Sequence, residues 1–180
     1  MPQASPERII LASGSPRRAE LARVEGWNIE ILPPPDDVET NAAPQGPNET
    51  LEEFVVRLAR AKAEAVMAFG ACGTILACDT LSEVNGIPLG KPKNRDDARR
   101  MLMALSGRQH RVVSGVCLWP RASRKHAHEP LTGHAESQLV MPPLSDEFVS
   151  RYLETGLWEV KSGACGFQDG HIPLELVSGS

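Results

Sequence analysis

The chain has 180 residues, of which 41% are hydrophobic and 23% charged, and its formal net charge is -4 at pH 7. This length is that of one domain with a substantial core, and the composition is that of a soluble globular protein. The acidic balance argues against binding to bulk nucleic acid, and no apolar stretch reaches the length of a membrane span. The first residues also lack the layout of a signal peptide. We therefore expect a cytoplasmic protein with no nucleic-acid or membrane partner.

The first predicted elements surround the sequence Ser13-Gly14-Ser15-Pro16-Arg17-Arg18. The apolar run over residues 9–12 predicts a short buried strand. Ser15 is a favourable N-cap and Pro16 a favourable first helical residue, so a helix is predicted from Pro16 to Val24. Free backbone N–H groups and the helix dipole favour an anion there, and the two arginines suit a phosphate. An ordinary exposed helix start, with arginines that only aid solubility, remains an alternative.

The next segments predict a strand, a loop and a long helix. Residues 27–32 alternate as a strand, which a run of three prolines ends. Residues 36–48 combine acids with proline and glycine, so we expect a long loop without a helix or strand. Residues 50–69 have apolar side chains at helical spacing. Lys62 lies on or beside this apolar stripe, where an ammonium requires an anionic partner or a route to solvent. It is either a snorkelling lysine or one held in a cleft for a phosphate or carboxylate.

The middle of the chain places a carboxylate after an apolar run. Residues 74–78 predict a buried strand that ends at Asp79 and Thr80. Because ligands of open α/β sheets gather at the carboxyl ends of strands, Asp79 indicates a site. The pair Asn85-Gly86 suits a hairpin turn, and Lys91 follows it between a glycine and a proline that fix its position.

The second half predicts helices and an antiparallel strand pair. A helix is expected over residues 96–105, and strands are expected over 111–119 and 132–141. Another helix begins near Asp146 and is closed by a glycine. The tail from residue 158 is rich in glycine, which suggests irregular backbone near a ligand.

Single motifs here are weak, but together they supply the parts of one chemistry. Arg17, Arg18, Lys62 and Lys91 offer positive charge, and Glu39 and Asp79 offer hard oxygen ligands. This combination suits a nucleotide polyphosphate with a divalent metal, because Mg²⁺ bridges phosphate oxygens and takes one or two carboxylates. The sequence contains neither Gly-x-x-x-x-Gly-Lys-Ser/Thr nor Gly-x-Gly-x-x-Gly, so a P-loop or Rossmann interpretation has no support.

In its motifs the chain resembles, nearly end to end, the Maf family of nucleoside triphosphate pyrophosphatases. The resemblance rests on residues 11–18, 56–63, 78–80, 90–92, 101–107 and 161–168. It implies a single Maf-like domain over residues 1–180, with an α/β fold similar to that of inosine triphosphate pyrophosphatases. That fold is a long mixed twisted sheet flanked by helices, with two lobes and a central cleft. The implied reaction is metal-dependent hydrolysis of a nucleoside triphosphate between the α and β phosphorus, which releases a monophosphate and pyrophosphate.

The resemblance also implies roles for individual residues. Asp79 would be the proton acceptor, and Glu39 with Asp79 would hold Mg²⁺ or Mn²⁺. Arg17, Thr80 and Gln168 are similar to the residues of the branch that acts on dTTP and UTP, with Thr80 and Gln168 on the base. The phosphates would be bound by a set of hydroxyl and cationic side chains: Ser13, Arg18, Lys62, Lys91 and Lys161.

Two departures from the family pattern affect the expectations. Cys78 stands where alanine or glycine is usual, so the strand end is expected to be sensitive to oxidation. The chain ends at the corner over residues 177–180, where related chains continue into a Gly-Leu-Pro segment and a closing helix. An uncovered core face or sheet edge would then lower stability or favour self-association, which leaves a homodimer open. Two alternatives follow, namely a nucleotide-binding regulator of septum formation with little or no catalysis and a remnant that neither binds nor cleaves.

Overall fold

The computed structural model describes residues 8–35, 37–122 and 129–179. Its strands are β1 (Ile9–Leu11), β2 (Ile29–Ile31), β3 (Gly73–Val84), β4 (Ile87–Leu89), β5 (Gln109–Ala122), β6 (Leu131–Val140) and β7 (Glu175–Ser178). Its helices are α1 (Pro16–Val24), α2 (Asp37–Asn41), α3 (Leu51–Ala68), α4 (Arg95–Leu105) and α5 (Asp146–Glu154). Short 3-10 turns lie at Ser162–Ala164 and Phe167–Asp169.

The strands form a mixed sheet in the order β2-β1-β3-β5-β6-β7, with β4 paired to β3. β1 is parallel to both β2 and β3, as expected for strands joined by helices, and β4 and β7 are antiparallel to their partners. The Asn85-Gly86 turn has φ values of 53° and 74°, which are those of the hairpin turn that its sequence predicts. The predicted mixed α/β fold with flanking helices is therefore confirmed, whereas the central cleft stays a prediction.

Contacts divide the chain into two compact units. Unit 1 contains residues up to 79 and residues 115–134, and unit 2 contains residues 80–114 and 135 onward. The core of unit 1 joins β1, α3, the first half of β3 and the second half of β5 through nine buried side chains: Ile10, Ala12, Ala59, Ala63, Val66, Ile75, Ala77, Cys117 and Trp119. The core of unit 2 is built around α4 and α5, whose buried faces include Leu102, Leu105, Val149 and Tyr152.

Three elements differ from the sequence prediction. β3 continues to Val84, so Asp79 and Thr80 lie inside the strand and not beyond its end. The predicted loop over residues 36–48 contains the short helix α2, and Asp36 lies outside the described residues. The glycine-rich tail forms the strand β7, which pairs with β6 and was expected to be irregular. In each case the added structure is short or partnered by the sheet, and such elements have weak local signals.

Gly115 sets how closely α3 lies on strand β5 within unit 1. A Cβ atom built on Gly115 would be 2.3 Å from the Val55 carbonyl carbon and 2.5 Å from the Val56 nitrogen. These distances are far below any van der Waals contact, so only glycine permits this helix to approach the strand.

Within the described parts of the chain, no helix has the length and apolar character to cross a membrane.

Candidate active site

Helix α3 carries Lys62 into the interior of unit 1. The helix begins with a capping box, in which the Thr50 hydroxyl accepts from the Glu53 N–H and the Glu53 carboxylate accepts from the Thr50 N–H. Its apolar stripe packs on the sheet, and Lys62 lies on that stripe with 5% of its surface exposed. An ammonium at this depth requires an anionic partner, because burying an unpaired charge is very costly. The snorkelling interpretation of Lys62 is therefore wrong.

Two carboxylates supply that partner. The Lys62 Nζ atom contacts Asp79 Oδ1 in β3, and it lies 2.6 Å from Glu39 Oε1 in α2. The Asp79 side chain is 8% exposed, whereas the Glu39 side chain is 36% exposed. Three residues that the sequence predicts to act together thus meet at one nitrogen atom.

The pKa of Asp79 is raised above its usual value, mainly because burial disfavours the charged carboxylate. The ammonium of Lys62 and the guanidinium of Arg18 act in the opposite direction, and the neighbouring Glu39 carboxylate adds to the increase. A carboxyl group with a raised pKa is a stronger proton acceptor once it is ionised. Such a shift at a buried, paired acid is typical of functional sites.

The Ser13–Arg18 motif lies beside this acid. Arg18 Nη1 donates to the Cys78 carbonyl oxygen at 2.8 Å and to Ser13 Oγ at 3.3 Å. Ser13 Oγ also accepts from the Ser15 N–H at 3.2 Å. Arg18 therefore joins the start of α1 to the residue before Asp79, while Arg17 is half-buried on the same turn.

Ser15 occupies the predicted N-cap position, and Pro16 is the first helical residue. The Ser15 side chain does not make the predicted capping hydrogen bond to the first turn of α1. Ser13 provides the oxygen for the local N–H group instead.

Cys78 is half-buried, and burial raises the pKa of its thiol. Arg18 and Lys62 oppose this increase, but burial is the largest cause. A raised thiol pKa reduces the fraction of reactive thiolate at neutral pH. This argues against the oxidation sensitivity expected at this position.

The donor set fits a hard divalent cation. Glu39 and Asp79 direct carboxylate oxygens at a common point, since both lie within bonding distance of one nitrogen atom. Two carboxylates are the protein ligands that Mg²⁺ uses at sites where substrate phosphates and water complete its shell. Among the described residues, no cluster of three or more histidine, cysteine or acidic side chains is suited to a metal ion. A cation here would therefore take its other ligands from water and from substrate phosphates.

The other predicted residues belong to unit 2. Thr80 Oγ1 is 2.9 Å from the hydroxyl oxygen of Ser114, a residue that no sequence motif singles out. Lys161 forms an ion pair with Asp169, so its positive charge is partly balanced within the unit. Lys91 and Gln168 are exposed side chains.

Hydrogen bonds from backbone N–H groups hold two segments of unit 2 together. The Ser162 hydroxyl accepts from the Ser82 N–H at 2.8 Å, and the Gly163 N–H donates to the Gly90 carbonyl oxygen at 3.0 Å. Gly163 has a φ of 68°, and a Cβ atom there would be 3.0 Å from the Ser82 hydroxyl, so both conformation and space favour glycine. These bonds join the segment that contains Lys91 to the segment that contains Lys161 and Gln168.

Sequence reasoning missed the residues that hold the segment before α3. Arg57 binds both carboxylate oxygens of Glu49, at 2.6 and 2.8 Å, and it also donates to the carbonyl oxygens of Ala43 and Pro44. This bidentate pair connects α3 to the loop that follows α2. The pattern that could have indicated this pair is an arginine on the half-buried face of a long helix, where a guanidinium needs an acidic partner.

Comparisons with known proteins agree with the motifs. A family model described as Maf-like protein matches residues 8–180. A protein named dTTP/UTP pyrophosphatase from Rhodopirellula baltica is 41% identical over 96% of this chain and 73% of that protein. One of the same name from Pyrococcus horikoshii is 37% identical over 95% of this chain and 86% of that protein. A solved HAM1 protein from Coxiella burnetii is 16% identical, with a TM-score of 0.49 over 91% of this chain and 89% of that chain. The family match and the identities to the first two proteins show that the chain belongs to the Maf family.

Proposed function

We propose that the protein hydrolyses nucleoside triphosphates, with dTTP and UTP as the preferred substrates, to a nucleoside monophosphate and pyrophosphate. The observation that carries the proposal is the buried Asp79 carboxyl held by Lys62 beside Glu39, in a chain whose relatives are named dTTP/UTP pyrophosphatases. Attack on a phosphorus with several negative oxygens requires charge neutralisation and an activated water. The proposed site contains the groups for both tasks.

Asp79 is proposed to accept the proton of the attacking water. Its raised pKa makes the ionised carboxylate a stronger base, and its burial excludes bulk water from competing hydrogen bonds. Glu39 and Asp79 would hold a Mg²⁺ or Mn²⁺ ion. When bound, such an ion lowers the pKa of a coordinated water and neutralises phosphate oxygens.

The cationic side chains are proposed to bind the phosphates. Arg17 and Arg18 lie in the first turn of α1, where the free N–H groups and the helix dipole also favour an anion. Arg18 donates from Nη1 to the Cys78 carbonyl oxygen and to the Ser13 hydroxyl, so its guanidinium lies close to the residue before Asp79 in sequence and to the start of α1. Lys62, Lys91 and Lys161 would complete the phosphate site.

The choice of base is proposed to depend on Arg17, Thr80 and Gln168. Thr80 carries a hydroxyl and Gln168 carries an amide, so together they offer donors and acceptors for the edge of a pyrimidine. This assignment rests on the match of these three residues to the dTTP and UTP branch of the family.

The test is a panel of nucleoside triphosphates, including methylated bases, assayed for pyrophosphate with Mg²⁺ and Mn²⁺. We expect UTP and dTTP to give monophosphate and pyrophosphate, and Asp79→Asn to abolish turnover. The fold should survive this change because Glu39 still pairs with Lys62. Asp96→Asn, which removes an exposed acid in the first turn of α4, is the matched control and should retain activity.

Two outcomes would overturn the proposal. Orthophosphate as the first product would place cleavage at a different phosphoanhydride bond. Binding of UTP in a calorimeter without any product after long incubation would instead support the nucleotide-binding regulator.

A further inference from the structure

We propose that Lys62 is an internal competitor of the divalent cation: its ammonium occupies the position between Asp79 and Glu39 that the cation takes when it binds. This inference rests on the proposed function, because the cation is part of that function. In the absence of the cation, Lys62 keeps the carboxylates of Asp79 and Glu39 paired.

The contacts of Lys62 place its ammonium where the cation would bind. Its single Nζ atom bonds Asp79 Oδ1 and lies 2.6 Å from Glu39 Oε1. A cation that used these same two oxygens would have to be within about 2.0–2.6 Å of each of them. The ammonium and the cation would therefore require the same space.

The burial of Asp79 and Lys62 explains why the protein needs the ammonium when no cation is bound. Asp79 is 6% exposed and Lys62 is 5% exposed, so water cannot solvate either charge effectively. Without the ammonium, the buried carboxylate would have to take up a proton or unfold its surroundings. The lysine thus stabilises the cation-free protein, and by the same contact it weakens the binding of a cation.

The charges of the two carboxylates favour one cation between them at a time. Two carboxylates have a combined charge of -2, which the ammonium reduces and a divalent cation cancels. Both cations at contact distance would repel each other strongly at this depth, so binding of one favours departure of the other. The flexible four-carbon stem of lysine allows its ammonium to move without movement of the helix, and substrate phosphate oxygens would be its new partner.

The experiment measures Mn²⁺ affinity without nucleotide, by the electron paramagnetic resonance signal of free Mn²⁺. The variant is Lys62→Met, which keeps the length and the apolar stem but removes the charge. We expect it to bind Mn²⁺ about tenfold more tightly than the unsubstituted chain, because a repelling charge is lost. Lys93→Met removes the same charge from an exposed position and should leave the affinity unchanged. Equal or weaker binding by Lys62→Met, or no binding by either protein, would overturn the inference.

A second measurement follows thermal unfolding. In a chelator, Lys62→Met should melt at a lower temperature than the unsubstituted chain, and Mn²⁺ should raise its melting temperature by more. An equal increase in both proteins would contradict the competition.

A third measurement uses the unsubstituted chain, so it can be made even if Lys62→Met does not fold. In the unsubstituted chain labelled with ¹⁵N, the Lys62 ammonium should give a slowly exchanging signal that Mg²⁺ shifts or abolishes. An Nζ signal that Mg²⁺ leaves unchanged would overturn the inference. All three measurements exclude nucleotide, so they can succeed even if pyrophosphate release, which tests the proposed function, is never observed.

Discussion

Arg18 donates from Nη1 to the carbonyl oxygen of Cys78, which lies 60 residues further along the chain, at 2.8 Å. The bond connects the first turn of α1 to the backbone directly before Asp79. Arg18→Ala should lower the free energy of unfolding by about 1.5–3 kcal/mol, because hydrogen bonds of a charged donor are lost. Arg23→Ala, an exposed arginine of the same helix, should change it by less than about 0.5 kcal/mol. Urea unfolding measures both, and equal effects would show that the Cys78 bond contributes nothing specific.

The activity should depend on pH through Asp79. Because a proton acceptor must be ionised, kcat/KM for UTP should rise with pH through the pKa of Asp79, which burial raises. Without a divalent cation, the Lys62 ammonium opposes this increase, so Lys62→Gln should raise the pKa of Asp79 further. The measurements are a pH profile of kcat/KM for the unsubstituted chain and an NMR titration of Asp79 in both cation-free proteins. A kcat/KM that does not fall at acidic pH, or an equal Asp79 pKa in both proteins, would contradict the prediction.

The same ionisation should affect stability. Since the pKa of Asp79 is raised in the folded chain, the native state binds more protons than the unfolded state near that pKa. The contribution of Asp79 to the free energy of unfolding therefore falls as pH rises through that value. Asp79→Asn should remove this slope from a series of urea titrations, and Asp96→Asn should retain it.

The pair of Glu49 and Arg57 should give the opposite pH dependence. Hydrogen bonds from Arg57 lower the pKa of Glu49 from 4.5 to about 2, although partial burial acts against this. Linkage alone would correspond to about 3 kcal/mol, but the Arg57 side chain is 38% exposed, so we expect about 1–2 kcal/mol after solvent screening. This stabilisation is complete above pH 4.5 and should be lost as pH falls toward 2.

Glu49→Gln tests this expectation. The variant should be less stable than the unsubstituted chain at pH 7, and the difference should shrink between pH 4.5 and pH 2. Glu64→Gln breaks the exposed pair with Arg60 on the same helix and should cost about 0.5 kcal/mol or less. A Glu49→Gln difference that is independent of pH would point to packing and not to ionisation.

Gly115→Ala should be strongly destabilising, since its methyl group would overlap the Val55 backbone. We expect a loss of about 1–3 kcal/mol in the free energy of unfolding, the usual cost of overpacking. Activity should fall as well, because α3 carries Lys62. Gly133→Ala is the control, as no atom of the described chain lies within 4 Å of the added Cβ. Equal melting temperatures for the two variants would contradict the prediction.

Local sequence signals predicted the longer helices well. Thr50, Asn94 and Ser145 each accept the capping hydrogen bond that their residue type favours, so α3, α4 and α5 begin within a residue of their predicted starts. The five-residue helix α2 was missed because it is too short to have a periodic apolar face. The continuation of β3 through Asp79 was missed because neighbouring strands, and not its own composition, extend it.

The site was only partly predictable for a similar reason. Lys62 attracts notice from sequence alone, because a charged residue on an apolar stripe requires a partner. Which carboxylates provide it depends on the packing of α2, α3 and β3, which local patterns do not encode. The contacts of Arg18 show the same limit, since a helix start predicts an anion site but not a bond to a distant carbonyl group.

The two carboxylates on Lys62 differ in their access to solvent, and this difference determines how the charge of each is stabilised. Glu39 has 36% of its side chain exposed, whereas Asp79 has 8%. Water can therefore solvate the Glu39 carboxylate directly, whereas the charge of Asp79 depends on the Lys62 ammonium for its stabilisation. Of the two carboxylates, Asp79 is thus the one for which loss of the ammonium would be more costly.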